Sequence, residues 1–344
     1  MGVALKDILI QKEISTEELS MRTLSVDGFN ILYQFLTTIR QPDGNLFTNS
    51  NGHITSHLIG LFFRSTHLMN KGIKLIFVFD GKPPLIKEEE RLRRQELKEQ
   101  AKTMYNQAVL SKETLLMKKY ASRTTYLTQE MITDAKSLLD VLGIPWIQAP
   151  SEGEAQSAHL VKKGVTWASV SQDFDSLLYG CDRLIQNLSA TGRRKRTAKL
   201  GTIPIQPKLI DLNQNLKVMG ITTDQLIAVA ILIGTDYNKG GVKGIGPKTA
   251  LRLVKMHGEH FDELFKDVDF DKHSHHHWKE IFDTFKTMPV TDDYNIIWKK
   301  PSFNRLRSFL IDEHGFSLDR VEKTIKELEA SVAFHNQKSI FDFR

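Results

Sequence analysis

The chain has 344 residues, 40% of them hydrophobic, enough to bury a large core in one extended or two domains. It has no uninterrupted apolar run of about 18 residues. The first residues lack the basic start and apolar stretch of a secretory signal, and Lys6 stands where a myristoylation signal wants Ser or Thr, so the sequence argues for an intracellular protein free of membrane and lipid. A single cysteine, Cys181, excludes an internal disulfide and a zinc site of several thiolates, while a net charge of +6 and a pI near 9.1 suit a polyanionic partner.

In chain order, residues 22–27 (RTLSVD), 74–80 (KLIFVFD) and 166–173 (TWASVSQD) read as short apolar or β-branched strands, each ending in an acid. Helical patterns occupy 28–40, 53–71, 128–142 and 152–163. This alternation predicts an α/β fold, a mostly parallel sheet with helices on both faces. Such sheets bind ligands beyond the carboxyl ends of their strands, where Asp27, Asp80 and Asp173 would arrive together.

Residues 87–120 are dense in charge, free of Gly and Pro, and read as one or two exposed helices laced with i,i+4 ion pairs, or as a functional lid or arch. Arg193, Arg194, Lys195 and Arg196 lie between strand-like stretches at 183–188 and 200–205, as on a basic hairpin tip. After Asp236, a glycine-rich turn leads into an apolar helix with Pro247 near its start. Gly244, Ile245 and Gly246 form the Gly-apolar-Gly turn of a helix-hairpin-helix, whose backbone N–H groups can hold a phosphate. His273, His275, His276 and His277 read as a surface loop rather than a metal site. A helical stretch at 317–333 precedes a tail, 337–344 (QKSIFDFR), whose apolar residues suit a docking peptide.

Seven carboxylates thus stand out: Asp27, Asp80, Glu152, Glu154, Asp173, Asp175 and Asp236. Each has a local explanation. Asp27 and Asp80 precede glycines and suit turns, Asp173 could cap a helix beginning near Phe174, and Ser151 with Glu154 fits a capping box. Taken together they point to divalent-metal phosphodiester chemistry, because Mg²⁺ takes oxygen ligands and a two-ion site needs a crowd of acids. Asp236 joins that crowd only if its helix end folds back over the sheet.

The segments VDGFNILYQFL, FVFDGKPP, APSEGEAQSA, SQDFDSLLYG, LIGTDYN and GVKGIGPKTAL, in that order, resemble the flap endonucleases of the XPG-type structure-specific nucleases, from Gly2 to the C-terminus. The resemblance implies a PIN-like nuclease core at 1–333, with an N-terminal region about 1–120 carrying an arch at about 87–125. It further implies an internal region about 121–255, a helix-hairpin-helix at about 222–256 and a clamp-binding tail at 334–344. By match, Asp27, Asp80, Glu152 and Glu154 would serve one Mg²⁺ and Asp173, Asp175 and Asp236 a second, with Mn²⁺ as a substitute. Glu154 would cap its helix as well.

Lys87 and Arg94 match the family's catalytic basic residues, and their seven-residue separation puts both on nearly one helix face. Tyr33 matches an aromatic that stacks on the terminal base. Arg64, Arg193, Arg194, Lys195, Arg196, Gly244, Gly246 and Lys248 are the implied DNA contacts, the hairpin with a monovalent cation. Gln337, Ile340, Phe341 and Phe343 resemble a sliding-clamp (PCNA) box, with Arg344 in place of its second aromatic. The implied activity is that of a monomeric 5′ flap endonuclease and 5′–3′ exonuclease on branched DNA in Okazaki fragment processing and repair. A noncatalytic junction scaffold and a metal-dependent ribonuclease are the alternatives.

Overall fold

Strand β3 (Lys74–Phe79) turns alternate side chains to opposite faces, as a pleated strand must. Leu75, Phe77 and Phe79 enter one apolar cluster, and Ile76 and Val78 enter another. The sheet is therefore covered on both sides. The computed structural model describes residues 3–41, 43–111, 113, 116, 120, 125–188, 193–195 and 202–341; for 109, 193–195, 202–204 and 334–341 it describes the backbone alone.

With β1 (Lys12–Glu13), β2 (Thr23–Asp27), β4 (Trp146–Gln148), β5 (Ala168–Val170), β6 (Arg183–Gln186) and β9 (Lys208–Asp211), β3 forms a sheet of order β1-β9-β6-β5-β2-β3-β4. The run from β6 to β4 is parallel, and β9 pairs antiparallel with both β6 and β1. Parallel neighbours deliver their C-terminal ends to one edge, so β2 with Asp27, β3 followed by Asp80 and β5 followed by Asp173 open there together, as the sequence predicts.

Helices α1 (Gly28–Thr38), α2 (Ser56–Asn70) and Gln129–Leu142 cover one face with the C-terminal helices. The other face is closed by Gly153–Lys162 and the almost wholly buried apolar helix Thr223–Ile233. Among the described residues no single helix is long and apolar enough to cross a membrane.

Helix α3 (Glu88–Leu110) follows a 3₁₀ turn at Leu85–Lys87, as the charged run predicts. Thr222 closes a capping box with Gln225 at the start of Thr223–Ile233, and that helix packs on Pro247–His257 as a helical hairpin.

Three expectations change. β6 lies within the main sheet, and the basic residues Arg193, Arg194 and Lys195 form β7, which pairs with β8 (Thr202–Pro204) in a separate ribbon. They are on a strand rather than at a tip, and Arg196 lies outside the described residues. The terminal helix runs Leu318–Phe341 without a break at 333, so Gln337, Ile340 and Phe341 continue it, while Phe343 and Arg344 lie outside the described residues. The strand expected at 166–173 is only Ala168–Val170, because the chain turns at Ser171 to bring Asp173 back toward α1.

Candidate active site

The loops leaving β3 and β4 are zipped together: Gly81 N–H donates to the Ser151 carbonyl (2.6 Å) and Lys82 N–H to the Pro150 carbonyl (3.2 Å). A Cβ on Gly81 would lie 2.1 Å from the Ala149 carbonyl oxygen, so only glycine allows this approach. The contact sets Asp80 beside the start of the helix Gly153–Lys162, where Gly153 N–H donates to Asp80 Oδ1 at 2.7 Å. Gly153 is itself constrained, since a Cβ there would crowd that same oxygen.

This arrangement overturns the expected capping box. Glu152 is the N-cap residue, Ser151 Oγ donates to the Lys82 carbonyl (3.0 Å), and Glu154 is turned inward, accepting from Ser171 Oγ at 3.2 Å. Glu154 therefore does no capping. Asp173 does not cap a helix either, because Asp175–Leu178 starts from Phe174; instead Asn30 Nδ2 donates to Asp173 Oδ2 at 2.9 Å. Asp27 does cap α1, accepting from Asn30 N–H at 2.9 Å. Asp175 accepts from the buried Val3 N–H at 2.8 Å, which ties the start of the chain to the site.

All seven acids line one cavity of about 1070 Å³, together with Asn30, Tyr33, Lys87, Arg94 and Lys239. Asp236 does fold back over the sheet edge. Burial, reinforced by Asp80 and Asp173, pushes the Asp27 carboxyl up to about 8. Burial and Glu152 raise Asp80 to about 6, and burial with Asp236 and Asp173 raises Asp175 to about 7. Glu154 is raised well above the carboxylate range by burial and by Asp175, Asp27 and Asp173. The Ser171 hydroxyl sits between Glu154 and Asp27 Oδ2 (3.4 Å) and has one proton for two acceptors. The cluster is short of positive charge.

Two cations from the α3 side partly supply it. Lys87 Nζ lies 2.6 Å from Glu152 and 3.4 Å from Asp236, and Arg94 Nη2 lies 2.5 Å from Asp236. Burial alone would lower the Lys87 pKa, but Glu152 and Asp236 reverse this and keep the amine protonated. Glu90 in turn holds Arg94 and Lys239.

Tyr33 reaches the cavity with Lys98 Nζ 5.5 Å from its ring centre, and donates to the Thr125 carbonyl at 3.2 Å. Arg64 does not reach it. That side chain is half-buried beside Val26, Phe35 and Leu68 of the core. Gly244, Gly246 and Lys248 lie on the helical hairpin, where a Cβ on either glycine would meet nothing within 4 Å. The histidine loop is a surface feature, with His276 on Glu280 and His275 near Glu89.

Sequence reading missed Asn30, Ser171 and Glu90. Their spacing was available: Asn30 follows Asp27 by three residues, Ser171 precedes Asp173 by two, and Glu90 lies one helical turn from both Lys87 and Arg94.

The XPG N-terminal domain model matches residues 1–101 and the XPG I-region model matches 143–236. Flap endonuclease 1 of Hyperthermus butylicus is 45% identical over 338 residues, covering 97% of this chain and 96% of that protein. The chain belongs to the flap endonucleases of the XPG family. Flap endonuclease 1 of Pyrococcus furiosus is 44% identical, covering 99% of this chain and 98% of its own length. In structure the chain is similar to flap endonuclease-1 from Methanococcus jannaschii, at 41% identity and a TM-score of 0.76, covering 97% and 100%. The catalytic core of Rad2 in complex with DNA substrate shares the fold, with a TM-score of 0.70 at 24% identity, covering 95% and 100%. The chain is thus a structure-specific flap endonuclease, a hydrolase of DNA phosphodiester bonds.

The raised acids predict a pH signature. Asp27 titrates near 3.8 when free and near 8 in the fold, so the folded state holds an extra proton between these values. Stability from this group therefore falls as pH rises through that window. In chelator-treated protein, Asp27→Asn keeps a capping side chain and should melt above the parent at about pH 8, with the gap closing toward about pH 5. A pH-independent gap, or a variant that melts lower at the higher pH, contradicts the assignment.

Proposed function

We propose that the chain is a divalent-metal-dependent 5′ nuclease that incises branched DNA near the base of a 5′ flap, with 5′–3′ exonuclease action, in Okazaki fragment processing and repair at chromosomal DNA. One observation carries this reading: Lys87 and Arg94 reach from the α3 side onto Asp236 inside the acid cluster. A phosphate entering the cavity would meet them there.

The donor set fits Mg²⁺, with Mn²⁺ as its substitute. It is all oxygen, buried and under-neutralised. Among the described residues no three acids or histidines form a ready-made cage, and Mg²⁺ does not need one, since it keeps several waters and uses few direct carboxylates. By family match, Asp27, Asp80, Glu152 and Glu154 would hold one ion and Asp173, Asp175 and Asp236 the other. Bound there, the pair supplies an acidified water and charge compensation at the phosphate.

The chain's own residues do the rest. Lys87 and Arg94, now balancing acids, neutralise the nonbridging oxygens as charge develops. Tyr33 offers a ring for the terminal base to stack on. The helical hairpin, through Gly244, Gly246 and Lys248 with a monovalent cation, and the basic residues Arg193, Arg194, Lys195 and Arg196 hold the duplex by its backbone. Selectivity for a free 5′ end comes from passage beneath the arch at 87–125, and the nuclease unit 1–333 works as a monomer. The C-terminal tail at 334–344, through Gln337, Ile340, Phe341 and Phe343, docks on a sliding clamp (PCNA).

Asp80→Asn and Asp173→Asn should each abolish flap cleavage in Mg²⁺ while branched-DNA binding survives; cleavage at the parent's rate by either contradicts the metal assignment. Lys87→Ala should lower the single-turnover rate by about a hundredfold or more at unchanged affinity. An equal loss in both would make Lys87 a binding residue. Deleting 337–344 should spare flap cleavage and remove stimulation by the clamp, and persistent stimulation overturns the docking role.

A further inference from the structure

The Glu90 carboxylate is 5% exposed and is not one of the seven cavity acids, yet it gathers three cations. Oε2 accepts from Arg93 Nε at 2.6 Å. Oε1 accepts from Arg93 Nη2 at 3.0 Å, from Arg94 Nε at 2.6 Å and from Lys239 Nζ at 3.1 Å. Arg93 and Arg94 belong to α3. Lys239 comes from the turn that joins the helices Thr223–Ile233 and Pro247–His257, so a single carboxylate fastens α3, which lines the cavity, to the helical hairpin.

An exposed i,i+4 pair contributes little to stability or order. Here the carboxylate is buried and shared among three donors. A guanidinium is a planar fork, so a bond to its Nε fixes the direction of its outer nitrogens. With Nε on Glu90, the Nη2 of Arg94 points at Asp236, 2.5 Å away. We infer that Glu90 is the positioning residue that aims Arg94 into the cavity, and that Lys239, on the same carboxylate oxygen, links that aim to the hairpin. The inference rests on the reading of Arg94 as catalytic.

The test is a double-mutant cycle in the full chain, reading single-turnover cleavage of a 5′-flap DNA in Mg²⁺ and, separately, the affinity for that DNA. Glu90→Gln keeps the acceptor and removes the charge; it should slow cleavage about ten- to a hundredfold, the range for partners that orient a reacting group, at the parent's affinity. In an Arg94→Ala background it should add nothing. Parental speed of Arg94→Ala defeats the catalytic reading of Arg94. A slow Arg94→Ala with a parental Glu90→Gln, or multiplied losses in the double variant, defeats the positioning role alone. Lys239→Ala should slow the parent severalfold and leave Glu90→Gln unchanged, and equal slowing in both backgrounds removes the link to the hairpin. If Glu90→Gln does not fold, Glu90→Asp, which retracts the charge by one methylene, carries the same cycle.

Discussion

Like charges crowded in a buried cavity are the constraint around which this molecule is organised. Parallel strands β2, β3 and β5 deliver Asp27, Asp80 and Asp173 to one sheet edge, and the helix starts and loop around them add Glu152, Glu154, Asp175 and Asp236. Burial and mutual repulsion raise the carboxyl groups of Asp27, Asp80, Glu154 and Asp175 together. Such a cluster persists only where the surroundings over-determine it. Here the surroundings are the zipped loops after β3 and β4, the Val3 N–H on Asp175, and the Asn30 and Ser171 donors.

Charge balance also connects the α3 side with the helical hairpin. Lys87 and Arg94 approach from the α3 side and Lys239 from the helical hairpin, and they meet through Asp236 and Glu90. Elements that would engage the flap and the duplex are thereby joined electrostatically at the cavity. Changes at either element have a short path to Asp236 and the cations paired with it.

Strand ends were the most legible part of the sequence, because a short apolar run closing on an acid has the same meaning locally and in the sheet. The central order was less so. β1, β4 and β9 have two to four residues each, too few for a period, and only pairing with longer neighbours makes them strands. The expected capping box at Ser151 failed for a tertiary reason: the zipped loops engage Ser151 Oγ with the Lys82 carbonyl and leave Glu152 as the N-cap, while Glu154 turns inward to Ser171. Arg64 was given a position in the chain by the family match, while its packing beside Val26, Phe35 and Leu68 was not legible in the sequence. Glu90 was hidden by its own context, one acid in a densely charged helix, and its burial distinguishes it.

The most direct measurement is single-turnover cleavage of a 5′-labelled double-flap DNA, with Mg²⁺ and with chelator, read at single-nucleotide resolution. The expected result is a discrete product ending near the flap junction in Mg²⁺ and none in chelator, since the acid cluster cannot accept a phosphate until its charge is met. Cleavage in chelator at the same rate and position, or Mg²⁺-dependent cleavage with no preference for the junction, contradicts it.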